Sequence, residues 1–457
     1  MVSITIPTSI TSIGDYAFYE CRSLTSLTIS SSVTSLGDYA FYECNLLISI
    51  ALPNVKRIGN YAFQNCKSLT SIALSSSVTF IGQYAFDSCY ILSQVTLPSS
   101  LTFIGENAFS STSIEIITIP TSVSSMGSGA FQSCIELKTV TIQTGVSSIG
   151  MNVFKSCSAL TTINIPNSVT SVGQSAFSSC SALTTINIPN SVTSIGQSAF
   201  SDCIKLSLIT IPTSVTSIGK SAFFKTLILS TAIPSSVTAY STFFGCDALT
   251  IITIPTTTKL IADEAFSGCL SLTNITIPFG VTSIGRNAFS YTSLVSITLP
   301  SSVKTISYGA FLNSALSTIN IPNSVTSISG DAFSGCTSLT SVSIPTSVTS
   351  LGGGAFRSCT SLKTIDIPYS VRAIDGSTFE GCSSLTSINI PSTVTTLGRW
   401  AFLSCQSLSQ ITLPASLNSI GNGAFSYCPA LINITIPSSV TFIGTIIIIF
   451  ITIITTS

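Results

Sequence analysis

The amino-acid sequence predicts a solenoid, in which one short unit repeats along the chain and a parallel β-sheet covers one face. Phenylalanine marks the repeat. In a chain of 457 residues it returns in 19 units from Phe18 to Phe425, mostly every 23 residues, sometimes every 22 and once after 20. Two neighbouring units, 158–180 and 181–203, differ at only two of their 23 positions. A period of this length is typical of stacked repeats that bury their apolar faces only against their neighbours.

Each unit begins with a pattern that indicates a short β-strand. Leu183, Ile186 and Ile188 are apolar positions that would face inward, with polar residues between them facing outward. Pro189 follows, and 17 of the 18 prolines share this place in their units. Because proline has no N–H to donate to a ladder, it ends the strand and starts a turn. The sequence therefore predicts one strand in each unit, parallel to the strand of the next.

The second half of each unit returns the chain to the start of the next strand. Val192, Ile195, Ala199 and Phe200 are expected to point inward from this segment. It is too rich in Ser, Gly and Thr for a regular α-helix, so we expect turns or short 3₁₀ pieces. Glycine recurs at the place of Gly196 in 14 of 19 units. We expect a positive φ there, because glycine adopts it without penalty.

The 15 cysteines share one place, three residues after the marker phenylalanine, as in Phe200 and Cys203. A free cysteine packs as a small apolar side chain, so we expect a buried ladder of reduced, unreactive thiols. Stacked side chains point in parallel, which disfavours disulfides between neighbouring units. The four units without cysteine carry a hydroxyl residue at this place: Thr112, Thr226, Thr292 and Ser314.

Composition argues against several functional classes. Charged residues make up 7% of the chain, with 16 basic and 16 acidic, and no cluster of basic residues offers a surface for nucleic acid. The chain contains no histidine, which removes the commonest general base and the commonest metal ligand. The serines and cysteines are explained by their places in the repeat. We therefore expect no enzyme activity, no cofactor and no metal site.

The repeat from Leu183 to Cys203 has the pattern LxxIxIPxSVxxIGxxAFxxC and resembles the BspA-like class of leucine-rich repeats, over about residues 1–444. The resemblance implies an α/β horseshoe-like leucine-rich-repeat solenoid of about 19–20 repeats of 22–23 residues, with a parallel β-sheet on one face and irregular or 3₁₀ return segments. In the general leucine-rich repeat an Asn or Cys ladder bonds the turn after the strand, and here serine hydroxyls hold that place. Examples are Ser168, Ser191, Ser214, Ser347 and Ser439.

The same resemblance implies a function, because BspA-like proteins are secreted or surface-attached proteins of bacteria or protists that adhere to host or matrix proteins. We accordingly expect a non-enzymatic protein at the cell surface or outside the cell. Its partners would be host, matrix or other surface proteins, and glycans are a further candidate. No signal peptide is visible in the sequence. A structural protein that self-associates end to end through uncovered repeats is a second hypothesis, and a hydroxyl lattice that binds ordered water or ice is a third.

Two outward surfaces are candidates for binding. The first is a stripe of tyrosines two residues before the marker phenylalanine: Tyr16, Tyr39, Tyr61 and Tyr84. Stacking would place these rings side by side at about 5 Å, and amphipathic rings suit contact with proteins or glycans. The alternative is duplication of a half-buried residue. The second surface is the outward side of the strands, represented by Thr184, Thr185 and Asn187. Threonine also suits any exposed strand.

Several stretches depart from the regular repeat. The solenoid is expected over 1–444, with a kink or a boundary between two sub-arrays near 223–244, where one unit shortens to 20 residues. The Ile-rich tail 445–457 is a truncated or out-of-frame end, an extra strand over the last repeat, or a short lipid-seeking anchor, so membrane association stays open. Asn274 and Asn433 begin glycosylation motifs. Both are expected inside strands, where a glycan would crowd its neighbours.

Overall fold

The computed structural model describes residues 2–235, 237, 242–445 and 452–455, and the chain divides into two compact units, Met1–Ser236 and Val237–Ser457. Each unit is a parallel-strand solenoid, as the sequence predicts. The boundary falls in the short repeat between Phe223 and Phe243. Residues 236 and 238–241 lie outside the described residues, so a kink near 223–244 stays a prediction.

The apolar pattern at the start of each repeat forms the primary strands. In the first unit they are Val2–Thr5, Leu24–Thr28, Ser49–Leu52, Ser71–Leu74, Gln94–Val95, Ile116–Ile119, Thr139–Ile142, Thr162–Asn164, Thr185–Asn187, Leu208–Thr210 and Ser230–Ala232. In the second unit they are Ile251–Thr253, Ser296–Thr298, Thr318–Asn320, Ser341–Ser343, Thr364–Asp366, Ser387–Asn389, Gln410–Thr412, Asn433–Ile436 and Thr452–Thr455. The primary strands form several separate sheets, and within each sheet neighbours pair in parallel one repeat apart, with Thr185 opposite Leu208. In most of these strands the central apolar residue faces inward and the polar residues beside it face solvent, as Ile186 does between Thr185 and Asn187.

One repeat lacks the expected primary strand. Residues 273–277 form no strand, so the prediction that Asn274 lies inside a strand is wrong, whereas Asn433 lies in Asn433–Ile436 as predicted. Shallow grooves separate this segment from the repeats on both sides. A strand needs ladder bonds to a neighbouring strand, and residues 273–277 belong to none of the sheets.

Within the described residues, every complete repeat except the one after Ser230–Ala232 also contains a second, shorter strand that the sequence did not predict. These secondary strands have two residues each. In the first unit they are Ser12–Ile13, Ser35–Leu36, Arg57–Ile58, Phe80–Ile81, Phe103–Ile104, Ser125–Met126, Ser148–Ile149, Ser171–Val172, Ser194–Ile195 and Ser217–Ile218. In the second unit they are Leu260–Ile261, Ser283–Ile284, Thr305–Ile306, Ser327–Ile328, Ser350–Leu351, Ala373–Ile374, Thr396–Leu397, Ser419–Ile420 and Phe442–Ile443. Two residues are too few for hydrophobic periodicity to reveal a strand.

The third side of each repeat is the turn segment around the marker phenylalanine. It consists of turns, and no residue that the structure describes is in an α- or 3₁₀-helix. The N–H groups of Tyr39 and Phe41 donate to carbonyl oxygens of the next repeat, those of Asn60 and Ala62, at 2.8 and 2.7 Å. Residues two before and two after the phenylalanine have positive φ, 56° at Tyr39 and 55° at Glu43. The stacked turns are thus hydrogen-bonded along the solenoid without being strands.

Positive φ is therefore not the reason for the recurring glycine, and the prediction for Gly196 is wrong. Its φ lies outside the left-handed region. A Cβ added to Gly196 would instead lie 2.5 Å from the backbone nitrogen of Gln174 and 2.5 Å from the carbonyl carbon of Gly173. Glycine is required there because the backbones of consecutive repeats approach too closely for a side chain.

Phenylalanine and cysteine form two buried columns. Successive phenylalanine rings stack, with centroids 5.4 Å apart for Phe177 and Phe200. All 15 cysteines are free and all but Cys21 are buried. The buried thiols donate to carbonyl groups of the preceding repeat at 13 of the cysteines, as Cys203 Sγ does to Phe177 O at 3.1 Å. The hydroxyl of Thr112 bonds Phe109 O of its own turn at 3.0 Å.

Serine hydroxyls form the ladder that the sequence predicts after the strand. Ser191 Oγ donates to Val169 O at 2.6 Å, and Ser168 Oγ donates to Val146 O at 2.7 Å. Ser214, Ser347 and Ser439 make the same bond to the preceding repeat. The hydroxyls therefore satisfy backbone carbonyls between repeats.

Part of the Ile-rich tail adds a strand to the second unit. Thr452–Thr455 pairs in parallel with Asn433–Ile436. Of the three alternatives for 445–457, the added strand is the one that this pairing matches. Residues 446–451 and 456–457 lie outside the described part of the chain. Across the described ranges, no helix is long and apolar enough to cross a bilayer.

Candidate protein-interaction surface

The predicted tyrosine stripe forms one column of stacked rings on the turn segments of the first four repeats. Ring centroids lie 4.9 Å apart for Tyr16 and Tyr39, 4.6 Å for Tyr39 and Tyr61, and 5.0 Å for Tyr61 and Tyr84. Neighbouring rings are parallel to within 4°. The spacing is that expected from the repeat. We call this set the tyrosine column.

A second pair of tyrosines, which sequence reasoning missed, packs against the column. Tyr19 and Tyr42 follow the marker phenylalanine directly, and their rings stack at 5.0 Å. Each is tilted against the tyrosine column, at 5.5 Å from Tyr19 to Tyr16 and 5.7 Å from Tyr42 to Tyr39. The sequence DYAFYEC occurs at 15–21 and again at 38–44, and this repetition could have predicted that Tyr19 and Tyr42 stack.

The two inner rings of the tyrosine column, Tyr39 and Tyr61, are covered on both faces by neighbouring rings, which leaves their edges as the exposed part. Tyr16 is 56% exposed, while Tyr39, Tyr61 and Tyr84 are half-buried between their neighbours. Burial, and then the adjacent tyrosine hydroxyls, raises the pKa of Tyr39 and of Tyr61. These phenols are therefore neutral at physiological pH, and their hydroxyls both donate and accept hydrogen bonds.

The backbone under the tyrosine column is left-handed. The φ angles are 59° at Tyr16, 56° at Tyr39, 57° at Tyr61 and 55° at Tyr84. Other repeats place residues better suited to this conformation at the same position: Asn107, Gly129, Asn152, Ser175, Ser198 and Ser221. A bulky residue is strained there, by a cost of order 1 kcal/mol or more. The local backbone does not call for tyrosine.

Carboxylates surround the column, but they already have partners. Asp15 Oδ1 accepts the N–H of Asp38, and Asp38 Oδ1 accepts the N–H of Asn60, both at 2.7 Å. Arg22 lies 2.8 Å from Glu20 and 2.7 Å from Glu43. The acidic residues thus support the turns, and the rings are what this face offers to a partner.

A third set of rings lies on the secondary strands of the same region. Phe80 and Phe103 stack at 5.2 Å, and the Arg57 guanidinium lies 4.1 Å from the centre of the Phe80 ring. Both rings are only half-buried. Sequence reasoning missed them because the secondary strands were not predicted, although most of the other units carry Ser or Thr at this place.

We use the name aromatic turn face for the tyrosine column together with Tyr19 and Tyr42. Phe80 and Phe103 are not part of it.

The strand face is the other candidate surface, and it is less uniform than predicted. Thr184, Thr185 and Asn187 are exposed on it. Exposed apolar side chains interrupt its hydroxyls, among them Ile116 and Leu208 in the first unit. Such interruptions disfavour a regular hydroxyl lattice. Shallow grooves run between neighbouring repeats, one of them between Ser71–Leu74 and Gln94–Val95.

Outward rings of the second unit are arranged differently. The Arg399 guanidinium lies 3.7 Å from the centre of the Trp400 ring, and Tyr308 donates to Asp331 Oδ2 at 2.7 Å. Arg357 also pairs with Asp331, at 2.9 Å. Within the described part of this unit, Tyr308 and Trp400 stack on no other aromatic ring. The aromatic turn face therefore belongs to the first repeats of the first unit.

Comparison with solved structures finds other leucine-rich repeat proteins. One from Bacteroides ovatus is 26% identical, with 90% of this chain and 87% of that chain covered and a TM-score of 0.39. A leucine rich cell surface protein from Faecalibacterium prausnitzii is 26% identical, with 97% and 87% covered and a TM-score of 0.26. The pneumococcal vaccine antigen PcpA is 19% identical, with 80% and 84% covered and a TM-score of 0.38. The curated proteins give no match.

The family comparison covers nearly the whole chain. The family described as BspA type leucine rich repeat region (6 copies) matches residues 1–114, 56–184, 125–242, 230–340 and 326–448. These ranges contain every marker phenylalanine and the repeat pattern from Leu183 to Cys203. The resemblance noted in the sequence is confirmed, and the chain belongs to the BspA-type leucine-rich repeat family.

Proposed function

We propose that this protein is a non-enzymatic binding protein of the cell surface or the extracellular space, and that it adheres to host or matrix proteins through the aromatic turn face. The observation that carries the proposal is the left-handed backbone of the tyrosine column. Four successive repeats place a bulky ring where Asn, Ser or Gly fits with less strain. Strain of this kind is a pointer to function. Family membership supports the surface location.

Ring packing favours a protein over a glycan as the partner. Tyrosine is enriched at protein interfaces because a rigid ring buries much apolar area while its hydroxyl stays hydrogen-bonded. The stacked rings of Tyr39 and Tyr61 are already ordered, so binding fixes few additional rotamers. Sugars pack on the faces of aromatic rings, and here both faces of Tyr39 and Tyr61 are covered by neighbouring tyrosines.

Binding of the full chain to a panel of purified extracellular-matrix proteins tests the proposal. The variant Tyr39→Asn/Tyr61→Asn removes two rings but keeps a residue type that occurs at this place at Asn107. The matched control is Tyr291→Asn/Tyr427→Asn, which changes two exposed left-handed tyrosines of the second unit. We expect at least a tenfold loss of affinity for the first variant and no change for the control.

Equal binding by both variants would overturn the assignment to the aromatic turn face and make the strand face at Thr184, Thr185 and Asn187 the next candidate. Light scattering on the same samples separates adhesion from self-assembly. A monomer agrees with adhesion, whereas open-ended oligomers would favour end-to-end association.

A further inference from the structure

The tyrosine column brings phenol rings of successive repeats into register. Tyr39 and Tyr61 have centroids 4.6 Å apart and planes within 4° of parallel. Because the repeats are nearly translated copies, equivalent carbons of the two rings are separated by about the same distance. Both side chains are only half-buried, so an oxidant in solution can reach them.

From this register we propose that the tyrosine column is a site of oxidative cross-linking within the chain, in which Tyr39 and Tyr61 become joined through their ortho carbons. The oxidant is hydrogen peroxide acting through a haem peroxidase. The product is a covalent staple between the second and third repeats.

The reaction balances as follows. Each phenol loses one electron and one proton and becomes a phenoxyl radical. The two radicals couple by forming one carbon–carbon bond between ortho positions, and the hydrogens on those carbons move to the phenol oxygens as the rings regain aromaticity. The pair has then lost two hydrogen atoms, and one hydrogen peroxide has been reduced to two waters.

Proximity, not exposure, selects this pair. Tyr369 and Tyr427 are 68% and 59% exposed, more than Tyr39, but within the described residues neither ring stacks on a second tyrosine. Random coupling of exposed phenols would therefore join different molecules through such isolated rings. Coupling inside the column joins neighbours whose rings already touch.

A staple would stabilise the first repeats. Joining Tyr39 to Tyr61 closes a loop in the unfolded chain, which lowers the entropy of that state as a disulfide does. A protein with this staple would keep its aromatic turn face folded under conditions that open an unlinked repeat. The prediction does not depend on whether that face binds a partner.

Peptide mapping makes the test specific. Cleavage after Lys and Arg places the tyrosines of interest on separate peptides: 1–22 with Tyr16 and Tyr19, 23–56 with Tyr39 and Tyr42, 58–67 with Tyr61, and 68–138 with Tyr84 and Tyr90. The full chain, kept dilute, is treated with hydrogen peroxide and a haem peroxidase. We expect a monomer that has lost two hydrogens, the fluorescence of dityrosine, and a linked pair of peptides 23–56 and 58–67.

Two isosteric variants decide the assignment. Tyr61→Phe keeps the stacked ring but lacks the phenol, and it should abolish the link between 23–56 and 58–67. Tyr42→Phe should leave that link in place. Absence of the link in the unmodified chain, its survival in Tyr61→Phe, or a product made mainly of dimers joined through Tyr369 or Tyr427 would overturn the proposal.

Discussion

Two columns of aromatic rings run side by side through the first repeats, and they differ in burial, in backbone conformation and in the number of repeats that contain them. Phe41 and Tyr39 are two residues apart, and each stacks on its counterpart in the next repeat, at 5.1 Å for Phe41 on Phe63 and 4.6 Å for Tyr39 on Tyr61. The phenylalanine is fully buried and recurs in all 19 units. The tyrosine is half-buried and left-handed, and its column has four members. A ring in every repeat serves the fold, whereas a strained ring in only a few repeats requires a local explanation.

The largest effect should come from ionising the thiols beside the phenylalanine column. Burial raises the pKa of Cys134 and Cys336 to about 11 and that of Cys203, Cys269 and Cys382 to about 12. The pKa of a thiol in the unfolded chain is about 8.5. The stability that comes from keeping these thiols neutral is therefore fully present below that pH and is lost as the pH rises toward the folded pKa values. In this pH range, each such thiol lowers the free energy of unfolding by up to about 1.4 kcal/mol per pH unit.

Circular dichroism across that range checks the effect, and we expect unfolding to begin above about pH 9. Thiol labelling at neutral pH without denaturant is the control and should be slow. A chain that stays folded well above the unfolded thiol pKa, or that labels rapidly, would mean that the cysteine ladder faces solvent.

Truncating the buried rings should give the next largest loss. Phe41→Ala or Phe63→Ala leaves a cavity between repeats and should lower the free energy of unfolding by about 3–5 kcal/mol. Thermal melts measure this directly. A loss below about 1 kcal/mol would show that the repeats collapse around the cavity and that the phenylalanine column does not determine stability.

A smaller effect should follow from adding one methyl group at the recurring glycine, four residues before the marker phenylalanine. Gly196→Ala places its Cβ against the backbone of Gly173 and Gln174, and overpacking of this kind costs about 1–3 kcal/mol. Gly150→Ala is the matched control, because the nearest atoms to its Cβ would be 3.6 Å away. Equal melting temperatures for the two variants would contradict the close approach.

What the sequence predicted depended on repetition. The phenylalanine, cysteine and serine columns each recur at one place, as at Phe200, Cys203 and Ser191, and stacking turns such a residue into a continuous column. The buried thiol ladder and the serine ladder follow from that rule. The tyrosine column followed in the same way, at nearly the spacing that the repeat predicts.

The secondary strands were not predicted and the conformation of the recurring glycine was predicted wrongly, because the sequence carries no pattern that reveals them. A secondary strand such as Ser194–Ile195 has two residues, so no periodicity marks it. Glycine is favoured both by positive φ and by close approach of two backbones. The recurrence of glycine at the place of Gly196 is consistent with either cause, so the sequence alone does not distinguish them. Positive φ falls instead on Tyr39 and Glu43, residue types that give no sign of it.

Thermal melting of Tyr39→Asn/Tyr61→Asn beside Phe41→Ala/Phe63→Ala tests the central claim most directly. Losing ring stacking destabilises the chain, but asparagine relieves the left-handed strain, so the net change should be about 1 kcal/mol per ring or less. The tyrosine variant should melt within a few degrees of the parent chain while the phenylalanine variant melts far lower. If both variants lose similar stability, the tyrosine column is part of the core, and its assignment as a binding surface is wrong.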